Sequence, residues 1–189
     1  MTPRGVVGKP ADDRNDVGMS SILARLARFR VGLGFVFGAL VLWLSEPTAQ
    51  TVTAGALVGG VGEAIRIWAA GHLRKSREVT ASGPYRWFSH PLYLGSSVMG
   101  LGLAIASGNV LVAVLIAAYL FVALTVAAKS EEAFLKRTFG ERYDQYRGGA
   151  VDGMRRFSWA QAMANHESRA VIGFLLAVRL LALKAARNV

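Results

Sequence analysis

The chain has 189 residues, of which 53% are hydrophobic and 18% are charged, and its formal net charge is +10. A soluble domain usually carries about 25% charged residues, so this composition favours one membrane-associated domain over a soluble one. The chain contains no cysteine, which excludes disulfides, thiolate metal sites and a cysteine nucleophile.

The first segment, residues 1–20, has little hydrophobicity, several chain breakers and three basic residues. Such segments cannot bury enough apolar surface to fold, so we predict a disordered basic tail. It lacks the continuous apolar core of a cleavable signal peptide.

Five apolar runs follow, at 31–45, 51–71, 92–106, 110–128 and 170–186. The fourth has the length of about 20 residues that a helix needs to cross a bilayer core. No run shows the alternation of a strand, so the predicted fold is all-α, a multi-pass transmembrane bundle of four to five helices. Arg179 and Lys184 interrupt the fifth run; it is predicted to be an amphipathic or membrane helix, and its placement stays open.

The basic residues predict the orientation of this bundle. Of the 22 Lys and Arg, six lie in 1–30, four in 72–91 and eight in 129–169, while the connections 46–50 and 107–109 contain none. Since cytoplasmic loops are enriched in Lys and Arg, the N-terminus and both basic segments are predicted to be cytoplasmic. The positive charge therefore indicates topology, and we predict no nucleic-acid partner.

Small residues recur at four-residue spacing within three of the runs, which lets membrane helices approach closely. The pairs are Gly34 with Gly38, Gly55 with Gly59, and Ser96 with Gly100. The string GGVG at 59–62 has no preceding strand, so it predicts helix packing rather than dinucleotide binding.

Two charged residues, Glu63 and Arg66, lie within the second run. Their spacing of three residues allows them to pair on one helix face. Charges at membrane depth also mark polar cavities, so a role in lining a substrate or cofactor cavity is the alternative.

A cluster of aromatic residues, prolines and one histidine precedes the third run, in SGPYRWFSHPLYLGSS at 82–97. Gly83-Pro84 predicts a turn, and Pro91 is compatible with a first helical turn. The cluster is explained either as an interfacial aromatic belt or as an irregular entrance whose free backbone groups bind a polar ligand.

The segment KSEEAFLKRTFGERYDQY at 129–146 follows the fourth run. If it is helical, Glu131 shares a stripe with Leu135 and Phe139, whereas Glu132 is placed to pair with Lys136 on a solvated face. Gly140 is predicted to end the helix. Both clusters fall on the predicted cytoplasmic side, so they can meet in space.

The two motifs GPYRWFSHPLYLG and EEAFLKRTFGERYDQY, separated by one helical hairpin, resemble those of the isoprenylcysteine carboxyl methyltransferases and their phospholipid methyltransferase relatives. The shared pattern covers about residues 77–146. The resemblance implies an integral-membrane enzyme that uses S-adenosylmethionine to methylate a hydrophobic acceptor, with its site on the cytoplasmic side (of the inner membrane in a bacterium). It implies a methyltransferase domain over 21–158, followed by the C-terminal helix at 159–189, and no metal.

Carried over by position, the resemblance implies cofactor-binding residues in three parts of the chain. They are Arg77, Glu78, Val79, Thr80, Tyr85, His90, Pro91, Leu92, Tyr93 and Glu131. The substrate residues suggested by charge and position are Glu63, Arg66 and Lys129, and no catalytic residue is assigned. Ser89 and Ala127 stand where relatives commonly have arginine, so the acceptor, a carboxylate or an amine headgroup, stays open.

An amine acceptor needs to lose a proton, and His90 or Glu63 are candidates for the base; His72 and His166 are predicted to be surface residues. Two other functions remain alternatives. One is an NADPH-dependent enzyme of the sterol reductase type, although Leu92 and Ser96 depart from that pattern. The other is a non-catalytic membrane or lipid-binding protein that retains a degenerate site.

Overall fold

The computed structural model describes residues 32, 34–74, 80–140 and 156–187. Within these ranges the chain forms helices and no strands, which confirms the all-α prediction. The elements are α1 (Gly34–Leu44), α2 (Ala49–Ala70), a 3₁₀ turn (Gly83–Arg86), α3 (Pro91–Ser107), α4 (Val110–Phe139), α5 (Trp159–Ala164) and α6 (Glu167–Arg187). The predicted tail at 1–20 lies outside the described residues.

The chain divides into two compact units, Met1–Leu40 and Val41–Val189. In the first unit, the structure describes residue 32 and the part of α1 that runs from Gly34 to Leu40. No described atom lies within 4 Å of a Cβ built on Gly34 or Gly38, so the close contact predicted for this pair stays a prediction.

The second unit is built around the contact between α2 and α3, where glycines allow the two backbones to touch. A Cβ on Gly55 would lie 2.3 Å from the carbonyl oxygen of Gly102, and one on Gly62 would lie 2.3 Å from the nitrogen of Met99. Gly59 faces the ring of Phe174 on α6. The packing interpretation is therefore confirmed for Gly55, Gly59 and Gly62.

The C-terminal helix α6 runs antiparallel to α2. Phe174 meets Gly59 in the middle of α2, and Leu181 and Ala185 pack with Val52 near its start. This places the fifth apolar run beside α2 along most of its length. The predicted C-terminal helix 159–189 is divided in two, and its first part is the short helix α5. α5 begins at the N-cap Ser158, whose side chain accepts a hydrogen bond from the nitrogen of Gln161.

α4 is one continuous helix of 30 residues, about 45 Å long at 1.5 Å per residue. Asn109 caps its start by accepting hydrogen bonds from the nitrogens of Leu111 and Val112. Gly140 ends it with φ of 48°, and its nitrogen bonds to the carbonyl of Lys136, as predicted. α4 contacts the rest of the protein mainly through α3.

Among the described residues, α4 is the one helix whose length and apolar composition suit a membrane crossing. α1 and α3 are apolar but shorter. α2 has 22 residues, yet its first turns contain one glutamine and two threonines, and its second half contains the charged pair Glu63 and Arg66. The multi-pass arrangement therefore stays a prediction.

Candidate active site

The segment that leads into α3, which we call the α3 entrance, forms turns because it contains glycine and proline. Gly83 has φ of 60°, a conformation that favours glycine, and a Cβ there would also meet the ring of His72 at 2.7 Å. Pro84 and Tyr85 are buried in the 3₁₀ turn that follows. His90 is the N-cap residue of α3 and Pro91 occupies its first turn, as predicted. His90 is thus held directly at the helix start.

The C-terminal half of α4 brings two carboxylates to this entrance. The hydroxyl of Tyr93 donates a hydrogen bond of 2.8 Å to Oε2 of Glu131. Nδ1 of His90 lies 3.6 Å from the same oxygen. The prediction that the two motifs meet in space is confirmed by these contacts, which join residues about 40 positions apart in the chain.

Glu132 is also part of this cluster, contrary to the prediction that it is a solvated partner of Lys136. Its Oε1 lies 3.2 Å from Nε2 of His90. The reason is geometric: the imidazole presents nitrogens on two sides, so consecutive carboxylates on α4 can each reach one. The paired glutamates of the sequence motif were the signal that could have indicated this.

The His90 ring is stacked on the Tyr93 ring, with centroids 5.3 Å apart and an interplanar angle of 25°. The side-chain hydrogen bond to Glu131 raises the pKa of His90 above its usual value, burial lowers it, and Glu132 raises it further. The side chains of Glu131 and Glu132 remain 37% and 40% exposed. The cluster therefore offers carboxylate oxygens and an aromatic face to a ligand arriving from solvent.

We expect the contribution of His90 to stability to depend on pH. Because the folded-state pKa of His90 is raised, its contribution is fully present below about pH 6.5, the unfolded value, and is lost as pH rises through the folded pKa. Thermal unfolding in mild detergent should show a difference in Tm between wild type and His90→Gln that is largest at acidic pH. A constant difference for His90→Gln across the pH range would contradict the ion pairs with Glu131 and Glu132.

The remaining residues implied by the resemblance fall into three groups. Arg77, Glu78 and Val79 lie outside the described residues. Thr80 is buried, and its hydroxyl accepts a hydrogen bond of 3.4 Å from the nitrogen of Arg74. Tyr85 and Pro91 are buried and Leu92 is half-buried, so these three support the shape of the entrance.

Glu63 and Arg66 belong to a second, buried cluster that also includes a residue the sequence did not suggest. Nε of Arg66 lies 3.8 Å from Oε2 of Glu63 but only 2.7 Å from Oε1 of Glu167, the first residue of α6. The guanidinium also donates a hydrogen bond to the hydroxyl of Ser96 on α3. The predicted pair is therefore a three-charge cluster that joins α2, α3 and α6.

The structure also gives the burial of four further residues that the sequence analysis named. Lys129 is exposed on α4, two residues before Glu131, and Ala127 is half-buried. His72 is buried, so its prediction as a surface residue was wrong; its Nδ1 donates to the carbonyl of Trp68 at 2.9 Å, and its ring contacts Phe157. His166 is exposed, as predicted.

Comparison with known proteins supports the resemblance. Residues 62–142, from the second half of α2 past the end of α4, match the sequence model of the family described as phospholipid methyltransferase. The nickel-cobalt-cadmium resistance protein NccN of Alcaligenes xylosoxydans xylosoxydans is 29% identical over 136 residues, which cover 64% of this chain and 62% of NccN. The chain thus matches less than two thirds of that relative's length. No solved structure matches.

The described residues form helices, and segment 62–142 matches the phospholipid methyltransferase family model. This match confirms the predicted resemblance. The cluster of His90, Tyr93, Glu131 and Glu132 lies inside that segment, whereas Glu167 lies beyond it.

Proposed function

We propose that the chain is an S-adenosylmethionine-dependent methyltransferase embedded in a membrane by several helices, with a hydrophobic methyl acceptor. The observation that carries the proposal is the meeting of the α3 entrance with the α4 carboxylates: Tyr93 to Glu131 at 2.8 Å and His90 to Glu132 at 3.2 Å. The match of 62–142 to a methyltransferase family supports the type of reaction.

The residues present fit this cofactor chemically. Its ribose hydroxyls and amino group are hydrogen-bond donors. A half-exposed carboxylate such as that of Glu131 can accept hydrogen bonds from them. The ring of Tyr93, which is stacked on His90, provides an aromatic face near which a sulfonium cation is stabilised. Arg77, Glu78 and Val79 are proposed to complete the cofactor site from the preceding loop.

When bound, S-adenosylmethionine would supply a methyl carbon activated by its sulfonium, and the carbon–sulfur bond would break, with its electron pair leaving on sulfur, as the bond to the acceptor atom forms. The protein then contributes alignment and exclusion of water. An imidazole between two carboxylates favours its protonated form, so His90 suits binding and orientation better than proton abstraction.

The direct test is a calorimetric titration of the purified protein with S-adenosylmethionine and, separately, with NADPH. Saturable binding of the methyl donor is expected. Glu131→Gln should weaken it by roughly 10- to 100-fold, because a hydrogen bond to a charged group is worth about 1.5–3 kcal/mol. Arg137→Gln, which changes an exposed charge on the same helix, is the matched control and should bind like wild type.

Binding of NADPH alone would replace the proposal with the reductase alternative, and binding of neither would favour a non-catalytic protein. Incubation of membranes with a labelled methyl donor then identifies the acceptor class, because label enters the lipid, protein or small-molecule fraction. Glu63, Arg66 and Lys129 are the proposed substrate residues, and their variants should change the KM for the acceptor more than affinity for the donor.

A further inference from the structure

An open groove lies where the last turns of α6 pass the end of α1, on the opposite end of α2 from the candidate active site. Its volume is about 460 Å³, within the range of about 300–1,000 Å³ typical of ligand sites. Its lining is Leu42, Trp43, Leu180, Leu183, Lys184 and Arg187. The walls are therefore apolar, and the only charged residues among the described lining residues are two cations.

Lys184 is fixed in place by the backbone of α1. Its Nζ donates hydrogen bonds of 2.8 Å to the carbonyls of Leu42 and Trp43, which lie in the last turn of α1 and have no later helical nitrogen to accept from. The ammonium is thus held at one position of the groove while it keeps a third N–H. This rigid placement lowers the entropy cost of binding an anion there.

The second cation, Arg187, is an exposed residue at the end of α6. A guanidinium presents several N–H groups in one plane and pairs well with phosphate oxygens. The acidic residue of the nearby connection, Glu46, does not line the groove. Trp43 is 76% exposed, and an exposed tryptophan beside cations is typical of a helix end at the membrane interface.

We propose that this groove binds one anionic phospholipid, with an acyl chain against Leu42, Leu180 and Leu183 and the phosphate on Lys184 and Arg187. Charge complementarity favours this ligand, because an apolar groove with two cations at its rim matches a lipid whose headgroup carries a net negative charge. A zwitterionic headgroup also carries a cation, which Lys184 and Arg187 would repel. The proposal is independent of the methyl transfer reaction.

Native mass spectrometry of the purified protein in detergent tests the proposal. The protein is mixed with equal amounts of phosphatidylglycerol and phosphatidylcholine that have identical acyl chains, and the retained lipids are counted. We expect phosphatidylglycerol to be retained in preference. Since one interfacial Lys or Arg is worth about 1 kcal/mol toward an anionic lipid, Arg187→Gln should reduce the preference by about fivefold.

Arg179→Gln is the matched control, because it removes the same charge from an exposed position of α6 that does not line the groove. Its preference should equal that of wild type. Leu183→Glu places an anion in the groove and should abolish retention of phosphatidylglycerol. Equal retention of the two lipids by wild type, or equal effects of Arg187→Gln and Arg179→Gln, would overturn the proposal, as would a second copy of the chain in place of lipid.

Discussion

Gly102→Ala is expected to destabilise the protein, although alanine is the better helix former. A Cβ at position 102 would lie 2.3 Å from the nitrogen of Gly59 and 2.5 Å from the carbonyl oxygen of Gly55. Both are backbone atoms, so α2 and α3 have to move apart to admit it. Overpacking of this kind costs about 1–3 kcal/mol, and we expect the upper end of that range, measured as the free energy of unfolding in detergent.

Gly60→Ala is the control, since it makes the same chemical change on α2 at a position where no described atom lies within 4 Å. There the substitution should be neutral or stabilise by up to about 1 kcal/mol, from helix propensity alone. Opposite signs for the two variants are the expected result. Similar values for both would show that α2 and α3 are not in backbone contact.

Arg66→Met is the second variant for which a large loss of stability is expected. It removes the cation that lies 2.7 Å from Glu167 and 3.8 Å from Glu63, and both carboxylates are buried. Removing one partner of a buried ion pair typically costs about 3–5 kcal/mol, because the remaining charge is left uncompensated. Thermal unfolding of the purified protein should show this as a marked fall in Tm.

The triple variant Glu63→Leu, Arg66→Met, Glu167→Leu distinguishes this cause from a simple loss of packing. Replacing a whole buried ionic cluster by apolar residues is often neutral or stabilising, so the triple variant should recover most of the loss. Arg179→Met, at an exposed position of α6, should change stability by less than about 0.5 kcal/mol. A triple variant less stable than Arg66→Met would contradict the electrostatic explanation.

Helical periodicity predicted one of the two carboxylates of the candidate site and not the other. Glu131 was predicted because an acid stood in line with Leu135 and Phe139. The predicted sides of the membrane indicated that its segment could meet the α3 entrance, and the structure shows the contact with Tyr93. Glu132 was assigned to solvent because helical periodicity offers it Lys136 as a neighbour. Periodicity describes one helix at a time, so it gives no information about the His90 ring that approaches from α3.

Residues from outside the matched segment were harder to predict. Glu167 begins α6 and reaches Arg66 from about 100 positions away in the chain. Nothing in the local sequence indicates this contact, because α6 is less apolar than the other long helices and its placement was open. The prediction for His72, which lies inside the matched segment, was also wrong, because its burial depends on contacts with Trp68, Gly83 and Phe157.

The sequence by itself determined the helical class, the helix ends at Pro91 and Gly140, the glycine contact surface of α2 and the family pattern in 62–142. These are local properties: periodicity, capping and turn chemistry act over a few residues. The tertiary structure alone decided which carboxylates meet His90, that Arg66 has Glu167 as its nearer acid, and that Lys184 caps α1. Those contacts depend on how distant helices pack, and packing is settled by the fit of all their side chains together.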